Sequence, residues 1–222
     1  QVGDLSIPGV LVSEFQGDWD SGAQPIVRFI REKLLRPMDG DWPWVMYNTW
    51  YDSNEKISHE GLIANADIAA ALGCELFVID AGWYGDGDEK WSFALGNWQV
   101  NKRRLPNGIE PVAEHVRKLS MKFGMWIEIE NAAPDSPVGK AHPDWFLRID
   151  GKLASNRSLL DFGKPEVLAW AKEQIDILMT KYRLDYIKMD FNGDLQINSH
   201  YFDGRPESAL SRHLAGLISL WE

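Results

Sequence analysis

The order of apolar and polar positions after residue 43 predicts strands and helices in regular alternation. Short, almost continuous apolar runs are typical of parallel strands that are buried on both faces. Longer stretches with apolar positions at helical spacing separate these runs. Strands are predicted at 44–48, 75–80, 123–128 and 184–192, with a small fifth strand at 158–161, and helices at 57–72, 109–119, 165–182 and 206–221. This alternation predicts an α/β fold built from parallel βα units.

The lengths of the loops refine this prediction. The long loops all follow strands, whereas the loops that precede strands are short. Such an asymmetry favours a (β/α)8 barrel of the TIM type, in which the loops after the strands build the working face. Four strong units, or five with the small strand, account for the N-terminal half of a barrel. We therefore assign residues 41–222 to the first half of a barrel domain.

The first 40 residues have a different character. Residues 1–25 are rich in Gly, Asp, Ser and Pro and show only one short apolar run, at 10–12. Apolar positions at helical spacing predict a short helix that begins at Pro25 and ends before Pro37. We expect residues 1–40 to form a linker, or the tail of a preceding β-rich domain, together with this helix.

Composition excludes several classes of protein. The chain has 33 acidic and 23 basic residues and a formal net charge of -10, which argues against a nucleic-acid partner. No apolar run approaches the roughly 18–20 residues of a membrane span, and no signal-peptide pattern opens the chain, which favours the cytoplasm. Cys74 is the single cysteine, so an internal disulfide and a Cys-based zinc site are excluded. The five His residues lack zinc-helix spacing and are expected at the surface or at helix caps.

Acidic residues stand at the carboxyl ends of three predicted strands. Asp80 ends the second strand and Asp190 the fourth, while Glu128 ends the third and is followed by Glu130. On one barrel face these acids would converge on a single cavity, although an acid at a strand end can also be an ordinary helix N-cap. Lys188 shares a strand face with Asp190. The two form either a structural salt bridge or part of a functional site.

Tryptophan is the compositional outlier, with 11 in 222 residues. Indole faces cover the C–H patches of sugar rings, whereas carboxylates accept hydrogen bonds from sugar hydroxyls, so a pocket with both suits a carbohydrate. For each Trp alone, core packing is an equal alternative. Arg157 can clamp a hydroxyl or neutralise a neighbouring acid. A metal is disfavoured because Trp and Lys interleave with the acids, and no cofactor is expected. The Trp residues assigned to the pocket are Trp50, Trp83, Trp98 and Trp126.

Five segments form a set of motifs in the order and spacing of a known family. They are Leu76–Gly85, Gly96–Gly108, Met121–Glu128, Ala141–Trp145 and Tyr186–Asp190. Together they resemble glycoside hydrolase family 36, the α-galactosidase type, in the clan that also holds family 27. The similarity runs through most of residues 8–195, and several motifs in the right order make it specific.

The resemblance implies a retaining glycoside hydrolase that acts on α-galactosides or related α-glycosides. Asp190 takes the position of the nucleophile, with Met189 in place of the usual aromatic. Lys188 takes the position of a lysine that contacts sugar hydroxyls, and Asp80 that of the first of two aspartates that hold hydroxyls near O4 and O6. The substrate-binding residues expected from pattern and resemblance together are Asp80, Lys188, Arg157, Trp50, Trp98, Trp83, Glu128 and Asn192.

The chain departs from the family pattern in three ways. Ala81 stands where the second aspartate is usual, and the lost hydroxyl contact is expected to loosen the choice of sugar. The usual Phe-Glu-Pro-Glu-Met run becomes Ile127–Asn131. The general acid/base of the family lies on a later strand and is therefore expected outside this chain. The alternative interpretation is an inactive carbohydrate-binding half-barrel that forms a homo-oligomer through its open sheet edges.

Overall fold

The computed structural model describes residues 10–35, 42–148, 152–153, 158–192 and 209–221. Contacts divide the chain into two units, Gln1–Pro43 and Trp44–Glu222. The assignment of the first unit as a linker or domain tail stays a prediction.

The first unit contains helix α1, Trp19–Phe29, which continues into a π-helical turn at Ile30–Leu34. The prediction that this helix begins at Pro25 is wrong, because Pro25 lies inside α1. The helix begins earlier because the Asp18 side chain caps it and accepts a hydrogen bond from the Ser21 N–H at 2.9 Å. Apolar periodicity alone did not reveal this polar cap.

The second unit is built on a four-stranded parallel sheet. Its strands, in spatial order, are β1 (Met46–Asn48), β2 (Leu76–Ile79), β3 (Lys122–Ile127) and β6 (Tyr186–Met189). The helices between and after them are α2 (Trp50–Ser53), α3 (His59–Ala71), α4 (Glu110–Lys118), α5 (Pro137–Ala141), α6 (Pro165–Tyr182) and α7 (Ala209–Trp221). Single 3-10 turns lie at Trp91–Phe93 and Pro143–Trp145. The spatial order of the four strands follows the chain, as in consecutive strands of a barrel.

The small fifth strand does not join this sheet. Strand β5, Ser158–Leu159, pairs antiparallel with β4, Asn131–Ala132. Its assignment as a fifth strand of the barrel is therefore wrong. The segment 158–161 pairs instead with residues just after β3, and its Leu160 forms a further bridge to Phe146. These partners are far away in sequence, which local patterning cannot detect.

Burial explains why the inner strands are so apolar. All four residues of β2 are fully buried, and β3 is buried from Phe123 onward. Both strands lie between two neighbours and are covered on both faces, as parallel strands usually are. The outer strands of the described sheet are more accessible, and Met46 in β1 remains 42% exposed.

The strand register brings the polar strand ends to one edge of the sheet. Asn48 pairs with Val78, Ile79 with Met125, and Ile127 with Met189. The residues that immediately follow β2, β3 and β6 are Asp80, Glu128 and Asp190. All three predicted strand-end acids therefore emerge at the same edge.

Helix α7 packs through a buried histidine. The His213 side chain is fully buried, with Nδ1 3.0 Å from the Leu160 carbonyl oxygen and Nε2 3.2 Å from Glu130. The expectation that the His residues lie at the surface or at caps is wrong for His213, because folding brings it against Leu160 and Glu130, which are 53 and 83 positions away in the sequence. Among the described residues, no helix combines the length and the apolar character needed to cross a bilayer.

An alanine at Gly124 should destabilise the sheet. An added Cβ would lie 2.9 Å from the carbonyl oxygen of Tyr186 in strand β6, so β3 and β6 would have to separate. We expect Gly124→Ala to lower the free energy of unfolding by about 1–3 kcal/mol, measured by urea denaturation. The control is Gly61→Ala in α3, where the new methyl meets the Ser58 hydroxyl at 3.2 Å. Equal stability of the Gly124 variant and the unmodified protein would contradict this packing.

Candidate active site

A cavity of about 100 Å³ opens at the carboxyl edge of the sheet. It is lined by three indoles, four polar side chains and one methyl group, namely Trp50, Trp91, Trp126, Asp80, Lys188, Asp190, Asn192 and Ala81. The loops and strand ends of β2, β3 and β6 meet here, where active sites of parallel α/β folds are found. The predicted convergence of Asp80 and Asp190 on one cavity agrees with this lining.

Asp80 is the buried acid of the cavity, with only 4% of its surface exposed. Its Oδ2 accepts hydrogen bonds from Lys188 Nζ at 2.9 Å and from Asn48 Nδ2 at 2.7 Å. Its Oδ1 accepts from the Ala81 N–H, and its own N–H donates to the Thr49 hydroxyl, both at 2.9 Å. A buried carboxylate needs such partners, and here they hold the side chain in one orientation.

Asp190 is the more accessible acid, with a third of its side chain exposed. Its Oδ2 accepts hydrogen bonds from Trp126 Nε1 and Asn192 Nδ2, each at 3.0 Å, and Oδ1 accepts from the Phe191 N–H at 2.9 Å. Burial alone raises the pKa of Asp190. These donors and the nearby Lys188 ammonium outweigh burial and lower the pKa below its ordinary value. The residue is therefore held as a carboxylate.

Glu128 stands behind Asp190 and is fully buried. Its Oε1 accepts from Asn131 Nδ2 at 2.7 Å, and its Oε2 accepts from Asn192 Nδ2 at 2.9 Å. The structure thus brings Glu128 into contact with the site through Asn192. It is not among the residues that line the described cavity.

Three indoles form the apolar wall. Trp91 makes edge-to-face contacts with Trp50, at 6.2 Å between ring centroids, and with Trp126, at 5.5 Å. Sequence patterning missed Trp91 because it lies in the long polar loop after β2, which has no periodicity. It also missed Asn48. The side-chain amide of Asn48 donates a hydrogen bond to Asp80, and its oxygen accepts one from the Trp50 N–H at 2.8 Å. A polar amide at the end of an apolar strand was the signal for Asn48.

Trp83 and Trp98 occupy a different place. Trp83 is fully buried, and its indole N–H donates to the Trp126 carbonyl oxygen at 2.9 Å. Trp98 is 6% exposed and stacks on Trp83 with 6.1 Å between ring centroids. Neither lines the described cavity. The predicted sugar contact of Trp83 and Trp98 stays a prediction, and their described contacts are with aromatic neighbours, as the core-packing alternative expects. Arg157 lies outside the described residues.

The site's charges are arranged around a lysine. Lys188 Nζ lies 2.9 Å from Asp80 Oδ2 and 3.9 Å from Asp190 Oδ2. The ammonium therefore lies between the two acids. Within the described ranges, no group of three or more His, Cys, Asp or Glu residues is arranged to hold a metal.

Loss of the lysine should destabilise the fold. We expect Lys188→Met to lower the free energy of unfolding by about 2 kcal/mol, because the buried Asp80 carboxylate loses a charged partner. Adding Asp80→Asn should restore part of this loss, as measured by urea denaturation. Arg103→Met is the control, because it breaks an exposed ion pair of similar length, 2.9 Å to Asp88, and should cost less than about 1 kcal/mol. Equal losses in Lys188→Met and the control would contradict the structural importance of the buried pair.

The chain is similar to known proteins over most of its length. A family model described as Melibiase matches residues 16–221. The α-galactosidase of Escherichia coli is 33% identical over 203 residues, which are 89% of this chain and 28% of that protein. The chain thus spans less than a third of this relative.

Solved structures show the same relationship. The α-galactosidase AgaA of Geobacillus stearothermophilus matches with a TM-score of 0.78 at 30% identity, over 90% of this chain and 29% of that one. The α-galactosidase TtGalA of Thermus thermophilus matches with a TM-score of 0.62 at 28% identity, over 83% of this chain and 36% of that one. The predicted fold, the N-terminal half of a (β/α)8 barrel, is confirmed. The chain belongs to the Melibiase family and is similar to part of the family 36 α-galactosidases of known structure.

Proposed function

We propose that this chain carries the sugar-binding and nucleophilic half of a retaining glycoside hydrolase that acts on α-galactosides. Its relatives are named α-galactosidases. A variant of AgaA was solved in complex with 1-deoxygalactonojirimycin, and TtGalA with p-nitrophenyl α-D-galactopyranoside. The observation that carries the proposal is the cavity in which the Asp190 carboxylate, the Lys188 ammonium and three indoles meet.

The chemistry assigned to Asp190 is nucleophilic attack. Its carboxylate forms a bond to the anomeric carbon while the bond from that carbon to the leaving oxygen breaks. Water then hydrolyses the glycosyl-enzyme and releases Asp190 as a carboxylate. The lowered pKa supports this role, because the group is ionised and ready to attack over a wide range of pH.

Sugar binding is assigned to the remaining lining residues. The Lys188 ammonium has a hydrogen that is not used by Asp80 and can donate to a sugar hydroxyl. Trp50, Trp91 and Trp126 offer apolar surface to the C–H face of the ring. Asp80 keeps acceptor capacity on Oδ1, which takes one described hydrogen bond, from the Ala81 N–H.

The proton donor is assigned to a residue outside these 222. A retaining enzyme needs a second carboxyl about 5–5.5 Å from the nucleophile. Asp80 is the other acid in the described lining, and its Oδ2 is already engaged by the Lys188 ammonium at 2.9 Å. Glu128 is fully buried behind Asn192.

The alternative is an inactive carbohydrate-binding half-barrel that pairs with a second copy. The outer strand β1, in which Met46 is 42% exposed, and Val45 just before it, which is 58% exposed, offer an edge for such pairing. Sugar binding without turnover by the longest natural form of the protein would support this alternative.

Replacement of Asp190 tests the proposal directly. In the longest natural form of the protein, Asp190→Ala should reduce kcat for a nitrophenyl α-galactoside by at least about 10³-fold while sugar binding is retained, because the covalent step is lost. Turnover and calorimetric binding are measured on the same samples. Asp88→Ala, at an exposed acid of the β2–α4 loop, is the control and should leave kcat unchanged. Full activity of the Asp190 variant would remove it from the mechanism.

Placing an acid at position 81 tests which feature of the site sets its preference among sugars. Ala81 lines the cavity beside Asp80 and offers no hydroxyl partner. A carboxylate there adds a site for one more hydroxyl, so Ala81→Asp should raise the ratio of kcat/KM for α-galactosides over epimeric glycosides by about 10-fold or more. The ratio is measured with a matched series of nitrophenyl glycosides. An unchanged ratio would show that position 81 does not contribute to the discrimination between epimeric sugars.

A further inference from the structure

Asn192 joins two carboxylates at the edge of the cavity. Its Nδ2 lies 2.9 Å from Glu128 Oε2 and 3.0 Å from Asp190 Oδ2. An amide nitrogen carries two hydrogens, so one can donate to each acid. An amide turned by 180° would set its oxygen, which only accepts, against two carboxylates. The two acids together therefore select one orientation of this amide.

Glu128 has the properties of an anchor. It is fully buried, and both of its oxygens accept hydrogen bonds from asparagine side chains, Asn131 at 2.7 Å and Asn192 at 2.9 Å. Asn131 belongs to strand β4, whose backbone is paired with β5. Asn192, in contrast, lies just after β6 and is exposed. A fixed, buried acceptor therefore holds an exposed donor.

We propose that Glu128 is a positioning residue, which holds the Asn192 amide so that this amide donates to Asp190. The inference rests on the proposed role of Asp190 as the nucleophile. Glu128 itself does not line the cavity, so it acts through Asn192 rather than on the sugar.

Removal of Glu128 acts on the pKa of Asp190 in two ways, and these have opposite signs. Without its anchor, the Asn192 amide donates less well to Asp190, the carboxylate is less favoured, and its pKa rises. Activity falls as the pH drops through this pKa, so the acid limb of the pH profile moves to higher pH. Loss of a nearby negative charge without a positioning role moves the limb to lower pH. The direction of the shift therefore separates positioning from simple electrostatics.

The test uses the longest natural form of the protein and the pH dependence of kcat/KM for a nitrophenyl α-galactoside. Asn192→Ala should move the acid limb upward by about one pH unit, because one hydrogen bond to the carboxylate is lost. Glu128→Ala should move it in the same direction by up to that amount. In the Asn192→Ala background, Glu128→Ala should give no further upward shift, because the amide that Glu128 positions is already absent. A limb that is unchanged or lower in Glu128→Ala overturns the proposal.

Glu130→Ala is the matched control. It removes a carboxylate two residues away that contacts His213 Nε2 at 3.2 Å instead of Asn192. Its acid limb should not move to higher pH. An upward shift as large as that of Glu128→Ala would assign the effect to general disturbance of the β3–β4 segment.

A binding measurement keeps the two proposals apart. At acid pH, 1-deoxygalactonojirimycin is a cation, and calorimetry gives its affinity as a function of pH without turnover. The affinity should weaken as Asp190 is protonated, and Asp190→Asn should abolish this dependence. If that variant keeps the dependence, the role of Asp190 fails. If it loses the dependence but Glu128→Ala leaves the midpoint unchanged, only the positioning role fails.

Discussion

The site depends on an ion pair that crosses one strand of the sheet. Lys188 belongs to β6 and Asp80 follows β2, while β3 lies between these two strands. The lysine is paired in register with Trp126 of β3, and its long side chain passes this position to reach Asp80. Two acids near one another and withdrawn from water would repel, and the ammonium between them removes this conflict. The ion pair between Lys188 and Asp80 thus allows both acids to lie at the same edge of the sheet.

The two aspartates differ in surroundings, and their proposed roles follow from that difference. Asp80 is almost wholly buried and accepts three described hydrogen bonds, including one from the lysine. A third of the Asp190 side chain is exposed, and most of the groups that donate hydrogen bonds to its carboxylate are uncharged. A carboxylate fixed on all sides suits recognition, whereas one that is ionised and accessible suits attack. Environment, rather than residue type, separates the two roles.

The sequence predicts the parts of this fold that depend on local pattern. Helix α6 begins at Pro165 and ends at Tyr182, as predicted, because a proline at the first turn and helical periodicity mark it locally. The acids at the ends of β2 and β6 could be found because apolar runs end in them. His213 and the partner of β5 could not, since both depend on contacts between segments distant in sequence. Trp83 could not be told from Trp126 for the same reason.

The size of the cavity limits what the described residues can enclose. At about 100 Å³ it is smaller than the roughly 300–1,000 Å³ of typical ligand pockets, so under the proposed function it would enclose part of a glycoside rather than the whole. The part that fits best is the ring next to Asp190, where the charged groups and the indoles are. Space for the leaving group, and the acid that protonates it, would then come from residues beyond this lining. The described hydrogen bonds to Asp190 come from Trp126, Phe191 and Asn192, so its orientation is set by residues of β3 and of the segment just after β6.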